Sequence, residues 1–263
     1  MSGGLILSIQ DILNHYQTND TEHIIAQYLL NNLYRQSITI TDIAKACHLS
    51  EASVTRFSKK LGYEGFSEFK KDYFLMQLEE NEMELDLLAR KEKQPINKLL
   101  LAELQTVSDE FNTFINHFDP KQLETISKKI QESQRIYLFS TLIPGNITMI
   151  LQTVLLNCGK EAVYPVDGRK QHEIIPYLKK DDLVIVVSLE GSLVMQKDLT
   201  LSIINSKASN VLITQNPHMK LSSLFDTVVS LGNHDLERTG KYKLLAFVEL
   251  LGNHYMVENK KTQ

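Results

Sequence analysis

Apolar positions change period along this chain, and each change marks a different kind of element. Two stretches near the start, Leu5 to Tyr16 and Asp20 to Leu33, recur at helical spacing, the second with Ile24, Ile25, Tyr28 and Leu29 on one face. In ITDIAKACHLSEASVTRFSKKLGYEGFSEF, Ile43, Ala44 and Cys47 line one face of a short helix. Leu49 then fills a turn, and Val54, Phe57 and Leu61 recur on a second short helix. Thr39 with Asp42 predicts a capping pair for the first of these helices, and Ser50 predicts the N-cap of the second. A turn this tight makes the two helices cross steeply. A Glu-rich segment from Leu78 to Lys93, without a deep apolar stripe, stops at Pro95 and is expected to be a helical linker. Beyond it Ile96, Leu99, Leu100, Leu104, Val107, Phe111, Phe114 and Ile115 keep helical spacing, a stripe that fits either a core or a seam with a second chain.

From Asp119 the pattern alternates. Asp119 and Pro120 mark a helix start that runs through Ile126 and Ile130 to a strand, Arg135 to Phe139. A helix from Ile147 to Asn157 ends at Gly159, and a strand follows at Ala162 to Tyr164. Asp182 to Val187 is a fully apolar strand, Leu193 to Ser206 a helix, Asn210 to Thr214 and Thr227 to Leu231 further strands, and Arg238 to Val257 the last helix. Apolar strands separated by helices predict a parallel sheet covered on both faces, with right-handed crossovers. The expected architecture is an all-α helix-turn-helix domain (residues 1–77), a helical linker (78–118) and a three-layer, doubly wound α/β domain (119–263).

Subtracting the buried positions from the second short helix leaves Glu51, Ala52, Ser53, Thr55, Arg56, Lys59 and Lys60 outward, beside the capping Ser50. Ser53 and Arg56 have the reach and chemistry for base edges; Lys59 and Lys60 suit phosphates. Lysines alone describe any solvated helix end. Lysines beside a base-reading pair, on a Ser-capped helix packed across another, describe a DNA-reading surface.

The second half of this stretch, SEASVTRFSKKLGYEGFSEFK, resembles the N-terminal signature of the RpiR (MurR/RpiR) family of bacterial transcription regulators: a Ser-capped recognition helix, an Arg-Phe pair, Leu-Gly-Tyr, Gly-Phe and a Phe-Lys ending. The resemblance implies that Gly62 turns the chain sharply and that Tyr63, Phe66 and Phe69 pack back under the recognition helix. His48 stands at a turn position often occupied by Gly, and is expected to adopt left-handed backbone angles at a small cost in stability.

In open parallel sheets ligands bind beyond the carboxyl ends of the strands, where strand order reverses. Ser140 to Asn146, Ser188 to Leu193 and Thr214 to Asn216 fall at such ends. The order of elements and the VVSLEG turn are similar to the SIS (sugar isomerase) module, flavodoxin-like in fold, which in RpiR regulators senses phosphosugars. This implies a ligand set of Ser140, Thr141, Ser188, Glu190, Gly191, Ser192 and Thr214. The chain departs from the SIS pattern at Ser140, Leu142 and Pro144, where Gly, Gly and Ser are usual, and at Glu190 and Leu193, where Ser and Thr are usual. A carboxylate at position 190 repels a dianionic phosphate by an amount on the order of a few kcal/mol. Three readings follow: a sensor with an altered ligand, such as a sugar or amino sugar bonded by Glu190, a domain that only dimerises, or a sensor of an ordinary sugar phosphate.

Net charge of -4 gives no global attraction to nucleic acid, so contact with DNA must come from a local basic surface, which Lys45, Arg56, Lys59, Lys60, Lys70 and Lys71 supply. The two cysteines, Cys47 and Cys158, suggest neither a disulfide framework nor a zinc site, and no apolar run approaches membrane-spanning length. A cytoplasmic protein without cofactor or metal is expected. An isomerase carrying a helical appendage is the competing class. It needs a positioned general base, for which Glu190, Glu237 and His172 are the candidates, and no spacing joins them. The family resemblance implies a homodimer or tetramer that holds recognition helices at the spacing of a palindromic operator, in genes of carbohydrate uptake or catabolism.

Overall fold

The computed structural model describes residues 5, 9, 12–14, 20–32, 37–74, 95–140, 142–165, 168–189, 191, 197–233 and 239–260. The Glu-rich segment 78–93 and most of Leu5 to Tyr16 lie outside the described residues. The chain divides into two compact units, Met1–Leu99 and Leu100–Gln263.

The first unit contains α1 (Thr21–Asn31), α2 (Ile40–Ala46), α3 (Glu51–Lys60) and a helical segment over residues 66–74. Local chemistry fixes the start of α2. The Thr39 hydroxyl accepts from Asp42 N while the Asp42 carboxylate accepts from Thr39 N, closing a reciprocal capping box. Ser50 Oγ likewise accepts from Ser53 N at 3.2 Å and starts α3. His48 (φ 55°) ends α2 and Gly62 (φ 83°) ends α3. In both turns the residue after the left-handed one bonds back over five residues, Leu49 N to Ala44 O and Tyr63 N to Ser58 O. Phe69 is the hub of the core, its ring meeting Phe57, Tyr63, Phe66 and Tyr73 at centroid distances of 5.6 to 6.1 Å. Tyr73 is fully buried, and its hydroxyl donates to Leu29 O at 2.6 Å, tying the 66–74 segment to α1. Ser58, on the inner face of α3, is also fully buried and donates to Val54 O.

The second unit is a five-stranded, all-parallel sheet in the order β2-β1-β3-β4-β5, with β1 Arg135–Ser140, β2 Ala162–Val163, β3 Asp182–Val187, β4 Ser209–Thr214 and β5 Thr227–Ser230. Alternate side chains feed two cores, as the period of a strand requires. Ile136, Leu138, Leu183, Ile185 and Val187 join one with Phe247 and Leu251, while Tyr137, Phe139, Val184 and Val186 join the other with Leu199 and Ile203. The helices are α4 (Ile96–His117, whose first residues belong to the other unit), α5 (Lys121–Glu132), α6 (Leu142–Asn157), α7 (Gly168–Ile174), α8 (Lys197–Ile204) and α9 (Gly240–Lys260). The three-layer, doubly wound expectation is met, with the flavodoxin-like strand order.

Two elements differ from the sequence reading. The segment Ser140 to Asn146 is not a loop, because α6 starts at Leu142 and carries Pro144 in its first turn. The first four N–H groups of a helix have no internal acceptor, so a proline there forfeits nothing. Residues 168–177, assigned no element from the sequence, form α7 and a 3₁₀ turn at Ile175–Tyr177. Along α4 the apolar stripe is only partly covered: Leu99 is buried and Phe114 is half-buried against the sheet core, but Leu100, Leu104 and Ile115 are exposed.

Candidate nucleic-acid interface and ligand site

On α3, Glu51, Ala52, Arg56, Lys59 and Lys60 are exposed, Ser53 and Thr55 are half-buried, and Val54, Phe57 and Ser58 point into the core. The outward residues are connected to one another. Arg56 Nη2 donates to Ser53 Oγ at 2.9 Å, and Ser53 Oγ lies 3.0 Å from Ser50 Oγ, so the guanidinium is held toward the N-terminal end of the helix, where recognition helices meet bases. Thr41 of α2 donates to Glu51 Oε1 at 2.6 Å, fixing that carboxylate across the turn. Thr55 spends its hydroxyl on Glu51 O within the helix. Lys60, read from the sequence as a phosphate ligand, has both Glu22 carboxylate oxygens of α1 at 2.6 Å. The bond to Glu22 raises the Lys60 pKa. Lys59 is the neighbouring exposed cation at the same helix end.

Strand order reverses between β1 and β3, which places the switch point at Ser140 and Ser188. Ser140 is fully buried and its hydroxyl donates to Val187 O at 3.0 Å, lacing the ends of β1 and β3 together. Thr214, also fully buried, donates to Leu189 O and accepts from Asn216 N, both at 3.0 Å. Both hydroxyls expected to face a ligand thus serve the backbone around the mouth. Ser188 is buried, with its N–H bonded to Ile213 O. Gly191 (φ 105°) is buried against Met219, whose sulfur occupies the place of a side-chain Cβ. Thr141, Glu190 and Ser192 lie outside the described residues.

Gln171 of α7, not singled out from the sequence, belongs to this mouth. It is fully buried, and its Nε2 donates to Ser140 O at 2.9 Å and to Pro165 O at 3.0 Å, leaving Oε1 without a partner. Tyr164 OH also reaches Ser140 O, at 3.3 Å, and burial pushes its pKa up to about 12. A lone polar residue in a segment without apolar period gives no signal in the sequence, and Gln171 is of this kind. Of the three acid–base candidates for an isomerase, only His172 lies among the described residues, and it is exposed on α7.

Residues 5–81 match the model of the helix-turn-helix domain of the rpiR family. The chain carries an RpiR-family helix-turn-helix domain. Its curated relatives include an uncharacterized HTH-type transcriptional regulator of Providencia stuartii, 25% identical over 191 residues, 72% of this chain and 66% of that one. The chain therefore aligns with just under two thirds of that relative's length. The HTH-type transcriptional regulator GlvR of Bacillus subtilis is 25% identical over 228 residues, 81% of this chain and 82% of GlvR. Among solved structures, NanR of Vibrio vulnificus, determined in complex with ManNAc-6P, matches with a TM-score of 0.54 at 20% identity over 98% of this chain and 93% of NanR. The sugar isomerase domain of an RpiR transcription factor from Sphaerobacter thermophilus matches 60% of this chain and 92% of its own length, with a TM-score of 0.52 and 16% identity. At such identities the likeness is one of fold alone, a helical head and a parallel-sheet α/β domain on one chain. No helix among the described residues is long and apolar enough to cross a membrane.

Proposed function

We propose that this protein is a DNA-binding transcriptional regulator of the RpiR type, in which α3 reads an operator and the sheet domain responds to a phosphorylated sugar or amino sugar. The observation that carries the reading is the outer face of α3 within an RpiR-type domain: a Ser-capped helix with Arg56 oriented by Ser53 and exposed lysines at its far end. Ser50, Glu51, Ser53, Thr55 and Arg56 contact or position contacts to bases, and Lys59 and Lys60 serve phosphates.

The relatives named as regulators favour this reading over an isomerase. A homodimer or tetramer is part of the proposal, because a single helix-turn-helix buries too little DNA surface for tight operator recognition. The outward faces of α6 and α9 supply apolar surface for a second copy, with Met149, Ile150, Leu156, Leu250, Met256 and Val257 exposed. NanR was solved with ManNAc-6P, and a related ligand here would enter at the β1 and β3 ends. Glu190 would then bond a hydroxyl or amine of an altered sugar, at a cost in phosphate affinity. Ligand alters DNA affinity only to the extent that it favours one arrangement of the heads over another. The protein would act in the cytoplasm, on genes of carbohydrate uptake or catabolism.

The test is selection of genomic fragments by the purified protein, followed by titration of the enriched sequence. Arg56→Ala should weaken specific binding by about 1 to 3 kcal/mol and relax the preference at one position. Fragments retained without sequence preference, or unchanged selectivity in Arg56→Ala, remove the assignment.

A further inference from the structure

A cleft of about 360 Å³ opens beyond the carboxyl end of β5, between α4 and the start of α9. It is separate from the switch point, because β5 stands two strands from β3, on the order of 10 Å across the sheet. Phe114 and Phe118 form an apolar wall, their rings 5.3 Å apart, and Phe118 is anchored on Phe247 in the core. Lys243, 2% exposed, lies in the floor. The remaining polar lining is held in place by bonds whose direction shows what is left over. Glu110 Oε2 accepts from Thr239 N at 3.2 Å and from Thr239 Oγ1 at 2.7 Å, which fixes the carboxylate at the first turn of α9 and leaves Oε1 as an acceptor. Gln122 Oε1 accepts from Ser230 N at 2.9 Å, so its Nε2 hydrogens are the outward donors. His117 Nδ1 lies 2.8 Å from Thr113 O; a carbonyl only accepts, so the neutral ring presents Nε2 as a second acceptor.

We propose that this cleft is a second small-molecule site, distinct from the switch point, which takes a neutral polyhydroxylated compound of monosaccharide size. The size falls within the range of ligand pockets. Acceptors (Glu110 Oε1, His117 Nε2) and donors (Gln122 Nε2) line one mouth beside an aromatic wall, and the hydroxyl is the group that satisfies both, since it donates and accepts. The C–H face of a ring lies against Phe114 and Phe118. The formal charges of Glu110 and Lys243 offset each other, so the lining has no net demand for an ion, and a dianionic phosphate would meet the Glu110 carboxylate.

The experiment is saturation-transfer NMR and calorimetry on the full chain with neutral hexoses, N-acetylhexosamines and hexitols, each beside its 6-phosphate. Thr113→Trp, on the exposed surface of α4, fills the cleft with bulk. Glu110→Gln keeps an oxygen for Thr239 and turns the free acceptor into a donor. At least one neutral compound is expected to bind, with affinity falling about tenfold or more in both variants at unchanged melting temperature. Should either variant lose its fold, His117→Ala, at an exposed position, gives the same reading by removing one acceptor. The proposal is overturned if no neutral compound binds, if binding is indifferent to cleft variants that remain folded, or if only phosphorylated forms bind.

Discussion

Lys60 at the end of α3 holds Glu22 of α1 at 2.6 Å, across 38 residues of sequence. The pair occupies the end of α3 that the sequence assigns to phosphates, so under the proposed DNA reading a phosphate would compete with Glu22 for the same ammonium. Glu22→Gln is therefore expected to tighten binding to operator and unrelated DNA alike, by a similar several-fold factor, because a phosphate contact carries no sequence information. Fluorescence anisotropy across a salt series checks this. The gain should shrink when Glu22→Gln is combined with Lys60→Ala, and Lys60→Ala alone should flatten the salt dependence. Equal gain with and without Lys60 would mean that Glu22 acts only as a general negative charge.

The two helix ends of the head invite substitutions of opposite sign. His48 and Gly62 occupy the same left-handed place in equivalent turns, at φ 55° and 83°. A side chain there costs roughly 1 to 2 kcal/mol, offset in part by the greater chain entropy of glycine when unfolded. His48→Gly should stabilise the protein by about 1 kcal/mol or slightly less, and Gly62→Ala should destabilise it by about 1 kcal/mol. Urea denaturation of both variants measures this, and a loss of stability in His48→Gly would show that the imidazole contributes a contact worth more than the strain.

What could be read in the sequence separates by the range of the interaction. The caps at Thr39, Asp42 and Ser50 bond within three residues, and each stands where the residue types place it. The apolar run at β3 is equally direct, since a strand covered on both faces has no polar side. The start of α6 at Leu142 is less legible, because a proline inside a helix is a breaker and only in the first turn, where Pro144 stands, do helices tolerate it. The apolar stripe on α4 is visible in the sequence, but which of its residues are covered is a tertiary fact, and much of it is exposed. The burial of Ser140 and Thr214, the Gln171 brace and the pairing of Lys60 all join residues far apart in the chain, where neither period nor spacing gives a signal.

Tyr164 links the mouth of the sheet domain to alkaline stability. In the unfolded chain its phenol ionises near the ordinary value of 10.0, but burial in the fold raises this to about 12. Below the lower value both states carry the proton and pH has no leverage. Between the two, the unfolded chain loses the proton while the native chain keeps it, so stability falls as pH rises, by about 2 to 3 kcal/mol once the folded pKa is passed. Tyr164→Phe removes this component. Compared at pH 9 and pH 11.5, the variant should lose less stability than the parent, although it gives up the bond to Ser140 O at every pH. Identical pH slopes would place the alkaline sensitivity elsewhere.

The departure at Glu190 makes the last test one of ligand charge. Ser188 and Gly191 stand beside the switch point, Gly191 with the positive φ that lets the chain turn there, and Thr214 braces the same turn through Leu189 O. If Glu190 is what lowers affinity for ordinary sugar phosphates, Glu190→Ser restores the residue usual in SIS domains and removes a repulsion on the order of a few kcal/mol. Calorimetric titration of parent and variant with hexose and amino-sugar 6-phosphates should then show the variant binding hexose phosphates at least about tenfold more tightly. The parent should prefer the amino sugars, whose ammonium can donate to the Glu190 carboxylate. Tight binding of a plain hexose 6-phosphate by the parent would show that the carboxylate turns away from the phosphate. Absence of binding in both forms would recast the sheet domain as a dimerisation scaffold, with Ser140, Thr214 and Gln171 serving only to lace its strand ends.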